Sequence, residues 1–299
     1  MLNNIQPCTI ELSNGEILGY RECGSGPETL VLVHGNLSSS RHWDILMEEL
    51  APKYKIYALD LRGFGMSSYN KPISCLRDFA HDLHLFIQSL KLKNFTLAGW
   101  STGGGVSMEY VINYPNVAKK LILFQSVGIK GLKIYKKPSN RKSNEPGYFI
   151  TREEMHADTQ QIQPLLNAQK NGDKQFFKKI WDNVIYNLNQ PPAERYDGYL
   201  EEMLNQRNNV DVYYALTHFN ISKEHNEVVE GNGLVERINI PTLIIHGKED
   251  LVVPLKDALY TKENLGELAE LAVIDDAGHA PLTDKFEEVK NHFVRFIDG

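Results

Sequence analysis

The feature that most restricts this chain is an alternation of two patterns. Short, almost unbroken apolar runs recur: "TLVLVHG" (29–35), "KIYALDLRG" (55–63), "NFTLAG" (94–99), "KKLILFQSVG" (119–128), "INIPTLIIHG" (238–247) and "AELAVIDDAG" (269–278). A strand that is apolar at successive positions is buried on both faces, which is the signature of a parallel sheet. Between the runs lie stretches with apolar residues at helical spacing: 38–54, "CLRDFAHDLHLFIQSLKL" (75–92), 102–114, "LKDALYTKENL" (255–265) and 284–297. Strand–helix alternation of this kind predicts an α/β fold, a parallel sheet with helices on both faces. Residues 8–23 read as two further short strands around the turn "SNGE".

The alternation stops at about residue 129 and resumes after 235. The text between is polar, rich in Lys, Asn, Gln and aromatic residues, with helical stretches such as "DKQFFKKIWDNVIYNL" and no strong strand. This predicts a core made of 1–128 and 236–299, with 129–235 inserted as a helical cap. At 299 residues, one large domain with an insertion accounts for the length.

Composition excludes several classes. Hydrophobic residues make up 42% and charged residues 23%, and no apolar stretch approaches the roughly 18 residues of a membrane helix. The formal charge of −6, with both signs interspersed, offers no basic stripe for nucleic acid. Three cysteines, Cys8, Cys23 and Cys75, lack the spacing of a zinc site or redox pair and read as reduced thiols. The N-terminal stretch "MLNNIQPCTIELSNGE" has no basic region followed by an apolar core, so the expected location is cytoplasmic.

The chemistry concentrates in "NFTLAGWSTGGG", where Gly99-Trp100-Ser101-Thr102-Gly103 fits G-x-S-x-G with a strand before it and a helix after it. A serine before a helix is commonly only a cap. A sharp strand-to-helix turn between glycines instead presents Ser101 as a nucleophile at the carboxyl edge of the sheet, where the helix N-terminus favours developing negative charge.

A serine hydroxyl needs a base with a pKa near 7, in practice a histidine. Of the ten histidines, His279 follows the last apolar run on a glycine-bearing turn, where chemistry sits in such folds. His81, His84 and His292 lie inside helices, and His156, His218 and His225 in the inserted segment; His34 and His246, in "HG" contexts, read as structural. Asp250, in "HGKEDLVVP", would orient His279 and gives the order Ser, Asp, His; adjacent Glu249 is the open alternative. The loop after "LILF" has "QSVG" and no carboxylate. The oxyanion donors expected are the backbone N–H groups of Thr102 and Asn36. Asp60, Arg62, Gly63, Gly65 and Ser67 in "DLRGFGMSS" read as a tight turn tied by an ion pair.

"VHGN", "DLRGFGMS", "GWSTGGG", "HGKEDLVVP" and "AGHAP", in that order, resemble the α/β-hydrolase superfamily over the whole chain. The resemblance implies a mostly parallel eight-stranded sheet, a cap over the site, neither cofactor nor metal, and a Ser-His-Asp mechanism through an acyl-enzyme. A narrower resemblance extends through the cap. "HGNLSSSRHWD", "RGFGMSSYNKPI", "NLNQPPAERYDGYLEEMLNQRNNVDVYYAL" and "FNISKEHNEVVEGN" look like the bacterial intracellular poly(3-hydroxybutyrate) depolymerases of lipase-box type. It implies hydrolysis of a storage polyester or its oligomers. Thr102 departs from the methionine expected there, making the pocket floor smaller and more polar.

The functional expectation is therefore a serine carboxylic-ester hydrolase acting on a small-molecule or polyester substrate with an apolar acyl part. A general carboxylesterase or lipase, a lactonase and an acyltransferase use the same triad, and a non-catalytic ligand-binding homologue is the third class. Aromatic residues of the inserted segment (Phe176, Phe177, Trp181, Tyr186, Tyr196, Tyr199, Tyr213, Tyr214, Phe219), with Trp100, are candidates to line an acyl tunnel or to pack the cap.

Overall fold

The computed structural model describes residues 5–137 and 147–299, so part of the expected cap, 138–146, lies outside the described residues. Eight strands form one sheet: β1 (Gln6–Glu11), β2 (Ile17–Cys23), β3 (Glu28–Val33), β4 (Tyr54–Leu59), β5 (Phe95–Trp100), β6 (Ala118–Phe124), β7 (Thr242–Gly247) and β8 (Ala269–Ile274). Their order is β1-β2-β4-β3-β5-β6-β7-β8. Only the β1–β2 and β2–β4 pairs are antiparallel; β4–β3–β5–β6–β7–β8 are parallel throughout. This is the α/β-hydrolase fold.

The continuous apolar runs are explained by two cores. In β3, Val31 and Val33 enter one cluster and Leu30 and Leu32 the other. In β6, Leu121 and Leu123 face the first while Ile122 and Phe124 face the second. Side chains alternate across a strand, so two buried faces require every position to be apolar. The first cluster is closed by α2 (Leu76–Ser89) and α3 (Thr102–Asn113), through residues such as Phe79, Phe86 and Val106. The second is closed by α1 (Asp44–Leu50) and the final helix, whose Val289, Phe293 and Ile297 recur at helical spacing.

The helix expected from residue 38 starts later. Ser39 accepts from Arg41 N–H and His42 closes a capping box, so a 3₁₀ turn over Ser40–Trp43 precedes α1. The turn after β4 is tight, but its ion pair is not the one expected. Asp60 accepts from the N–H groups of Ser40 (2.7 Å) and Met66 (2.9 Å), whereas Arg62 pairs with Asp82 on α2 (2.6 Å) and with Glu16 (3.7 Å). Gly65, at φ 44°, lies so close to the Asp60 carboxylate that a Cβ there would fall 2.4 Å from Oδ2. A buried arginine needs carboxylates that reach it with good geometry, and those come from other elements.

Between β6 and β7 the described residues hold helices α4 (Arg152–Ala157), α5 (Ile162–Lys170), α6 (Lys174–Val184), α7 (Ala193–Leu204) and α8 (Asn209–His218). Their small cluster of Phe149, Met155, Ile162 and Val210 is separate, but Trp181, Tyr199 and Met203 join the second core and Leu216 and Phe219 the first. After β7 come α9 (Leu255–Leu265), and after β8 α10 (Pro281–Asp284) and α11 (Phe286–Asp298). No helix among the described residues is long and apolar enough to cross a membrane.

Candidate active site

Ser101 joins β5 to α3 with φ 55° and ψ −119°, a backbone region that side chains rarely occupy. Three backbone bonds hold it there: Ser101 N–H to Phe124 O (3.0 Å), and its own carbonyl accepting from Gly104 N–H (2.9 Å) and Val127 N–H (3.2 Å). The turn is tight enough to demand glycine on both sides. A Cβ at Gly99 would fall 2.2 Å from Gly103 O, and one at Gly103 would fall 2.4 Å from Val33 O. The Ser101 hydroxyl does not cap α3, so a capping role does not account for the residue.

His279 stands on the loop after β8 and Asp250 on the loop after β7. His279 Nδ1–H donates to Asp250 Oδ2 at 2.7 Å, while Asp250 Oδ1 accepts from Val252 N–H (2.7 Å) and Val253 N–H (2.9 Å). Burial opposes the Asp250 carboxylate, but His279, His246 and the Val253 N–H outweigh it and hold its pKa below the usual range. Glu249, the alternative from sequence, turns away and accepts from Ala277 N–H at 3.1 Å. Trp100, the residue before Ser101, donates its indole N–H to His279 O at 3.0 Å. Ser101 and His279 line one cavity of about 180 Å³, together with Asn36 and Thr102.

Thr102 and Asn36, whose backbone N–H groups are the expected oxyanion donors, both border this cavity. Thr102 is the first residue of α3, where an N–H has no intrahelical acceptor. Asn36 follows Gly35, whose Cα packs so closely that a Cβ there would lie 3.0 Å from Ser101 Cβ. His34 behaves as the structural residue expected: Nδ1 donates to Gly35 O (2.7 Å) and Nε2 accepts from Leu61 N–H (3.0 Å). Its burial pushes its pKa down to about 4 despite the Asp60 carboxylate nearby. His246 donates from Nε2 to Val253 O (2.9 Å), bracing the loop that carries Asp250, and burial lowers its pKa as well.

Two neutral amides escaped the sequence reading. Gln125, in the "QSVG" loop noted only for lacking a carboxylate, is fully buried with φ 44°. Its N–H donates to Ile245 O (2.9 Å), its Oε1 accepts from Gly247 N–H (2.7 Å), and its Nε2 donates to Gly278 O. One side chain thus ties the loop before Asp250 to the residue before His279. Gln206, between α7 and α8, reaches Asn36 and Leu37. A lone glutamine carries no sequence signal for either role.

Of the aromatic candidates, Trp100, Trp181 and Tyr213 line the cavity, and aliphatic side chains such as Ile134, Ile180, Val184 and Leu216 supply most of the rest. Tyr199 instead stacks on His42 with centroids 4.4 Å apart, and Tyr186 packs on Tyr196 and Trp181. Among the described residues no group of three or more His, Cys, Asp or Glu could hold a metal ion.

Comparison with known proteins agrees with the geometry. The family model described as alpha/beta hydrolase fold matches residues 28–286. Lipase 3 of Moraxella sp. (strain TA144) is 25% identical, covering 99% of this chain and 86% of that protein. A non-heme haloperoxidase of Rhodococcus erythropolis is also 25% identical, covering 97% and 99%. Among solved structures, the esterase EaEST of Exiguobacterium antarcticum superposes with a TM-score of 0.75 at 22% identity, covering 98% of this chain and 100% of that one. With a family match spanning most of its length, the chain belongs to the alpha/beta hydrolase fold family.

Proposed function

We propose that this hydrolase cleaves carboxylic esters through an acyl-enzyme, with Ser101 as nucleophile, His279 as base and Asp250 as the residue that holds the base. The observation that carries the reading is the 2.7 Å Asp250–His279 bond, with His279 lining the same cavity as Ser101, which is held in a backbone conformation it would not otherwise adopt. Because Nδ1 carries the proton given to Asp250, Nε2 is left as the basic nitrogen. It takes the Ser101 proton as Oγ attacks the ester carbonyl, and returns it to the leaving alcohol as the tetrahedral intermediate collapses. Water activated by the same nitrogen then releases the acid and frees Ser101. The N–H groups of Asn36 and Thr102 stabilise the oxyanion.

Residues 129–235 act as the cap. Their side chains, with Leu37 and Val252 of the core, give the cavity an apolar wall, and its volume of about 180 Å³ suits a short acyl group. The substrate class we favour is an oligomer of 3-hydroxybutyrate, supported by the cap motifs that resemble intracellular poly(3-hydroxybutyrate) depolymerases. A general short-chain esterase is the coarser form of the same reading, and the lipase and esterase relatives support it.

Folded Ser101→Ala should lose about three to six orders of magnitude in kcat toward p-nitrophenyl butyrate. Retention of activity by that variant overturns the assignment. The wild-type protein given 3-hydroxybutyrate trimer and tributyrin side by side separates the fine reading from the coarse one, since hydrolysis of tributyrin alone leaves only the esterase.

A further inference from the structure

We propose that Gln206 is a positioning residue through which the cap holds the Asn36 oxyanion donor in place, so that the site is complete only when the cap is seated. This rests on the reading of Asn36 given above. The observation behind it is a chain of contacts that crosses from the core to the cap and back.

Leu37, directly after Asn36, has φ 52°, a left-handed conformation that costs a branched residue of this size free energy. Something outside the turn must maintain it. Gln206 does: its Oε1 accepts from Leu37 N–H at 2.9 Å, and its Nε2 donates to Asn36 Oδ1 at 2.7 Å and to Asn208 Oδ1 at 3.0 Å. The orientation of this amide is set by its partners. Leu37 N–H can only donate, so it faces the Gln206 oxygen. Asn208 Nδ2 donates to the backbone carbonyl of Arg62 at 2.7 Å, so the Asn208 oxygen faces the Gln206 nitrogen. Gln206 is 3% exposed, and both protons of its Nε2 are used.

The segment bearing Gln206 is bolted to the core beside it. Arg207 N–H donates to Gly63 O at 2.9 Å, and Gly63, at φ 81°, approaches so closely that a Cβ there would sit 2.6 Å from Asn208 Nδ2. The tight turn after β4 is therefore the seat for residues 206–208. Tyr213 of α8 also meets the Asn36 side chain: burial pushes its hydroxyl up to about 12 while the Asn36 amide acts the other way. Before Asn36 the bonds come from the core, with His34 on Gly35 O and Ser38 Oγ on the same carbonyl (2.7 Å). At Asn36 and Leu37 the side-chain bonds come from the cap.

A cap that lifted would take Gln206 away and release Leu37 from its conformation, turning the Asn36 N–H off the cavity. The predicted consequence is selective. Losing a whole oxyanion donor lowers kcat about 100- to 1,000-fold, and loosening one should cost about 10- to 100-fold while KM stays within about threefold.

The test uses full-length Gln206→Ala, with exposed Asn205→Ala as the control. Affinity for a butyl boronate, which mimics the tetrahedral oxyanion, should fall in step with kcat/KM for p-nitrophenyl butyrate in Gln206→Ala alone. Hydrogen exchange of the 35–39 peptide, read without substrate, should quicken at least threefold. Unchanged exchange there overturns the proposal whatever the protein hydrolyses, and so does a rise in KM at constant kcat, which would mark a packing role. Should Gln206→Ala not fold, Gln206→Glu carries the same measurements, because it keeps the acceptor for Leu37 N–H but sets oxygen against Asn36 Oδ1. Failure of the ester-hydrolase reading is distinguished by a folded Ser101→Ala protein that keeps wild-type activity.

Discussion

At the scale of single residues, the site is made of groups whose chemistry depends on what holds them. Ser101 and its flanking glycines announce themselves because a strand-to-helix turn this sharp excludes a Cβ at two fixed positions. Gln125 gives no such sign, yet its side chain joins Gly247 to Gly278. Gln125→Ala would leave a buried N–H and a buried carbonyl without partners, at a cost of about 1–3 kcal/mol each before any relaxation. We expect a loss of about 2–4 kcal/mol in urea unfolding and at least a tenfold fall in kcat, because the His279 loop loses its tie to the Asp250 loop. Unfolding at the wild-type midpoint would show that the clamp is dispensable.

At the scale of elements, α7 shows how the helices inserted between β6 and β7 are docked. Arg195 meets Asp44 (2.7 Å) and Glu48 (2.5 Å) on α1, Tyr199 donates its hydroxyl to Asp44, and Glu202 pairs with Arg21 of β2 at 2.8 Å. Burial pushes the Asp44 carboxyl up in pKa even with Tyr199 and Arg195 opposing it, so this carboxylate depends on its cation. Arg195→Leu should destabilise the protein by about 2–3 kcal/mol, and adding Asp44→Asn should recover part of that. If the two losses simply add in denaturant unfolding, the pair is not coupled. Helix positions were legible from apolar spacing, and the strands from apolar runs. The docking of α7 was not, because a charged residue on a helix gives no sign of its partner until α1 is known to lie beneath it. The same holds for Arg62, whose partners Asp82 and Glu16 come from α2 and the β1–β2 turn.

At the scale of the whole molecule, three buried histidines predict acid sensitivity. Burial lowers the pKa of His34 to about 4, and those of His42 and His246 below the ordinary value of 6.5. The unfolded chain binds protons at these positions below about pH 6.5 and the folded one does not. Stability is therefore present above pH 6.5 and lost progressively toward pH 4, about 3 kcal/mol from His34 alone. The melting temperature should fall between pH 7 and pH 4.5, and His34→Asn should flatten that fall; an unchanged slope in the variant would refute His34 as a cause. The sequence by itself determined the alternation of strands and helices, the strained serine and the order in which the candidate serine, carboxylate and histidine appear. These follow from local sterics and from where a parallel sheet puts its loops. Only the tertiary structure decided that Asp250 rather than Glu249 meets His279, that aliphatic more than aromatic side chains wall the cavity, and that two glutamines brace the site. A neutral amide is defined by the backbone groups it reaches, and those lie up to 170 positions away along the chain.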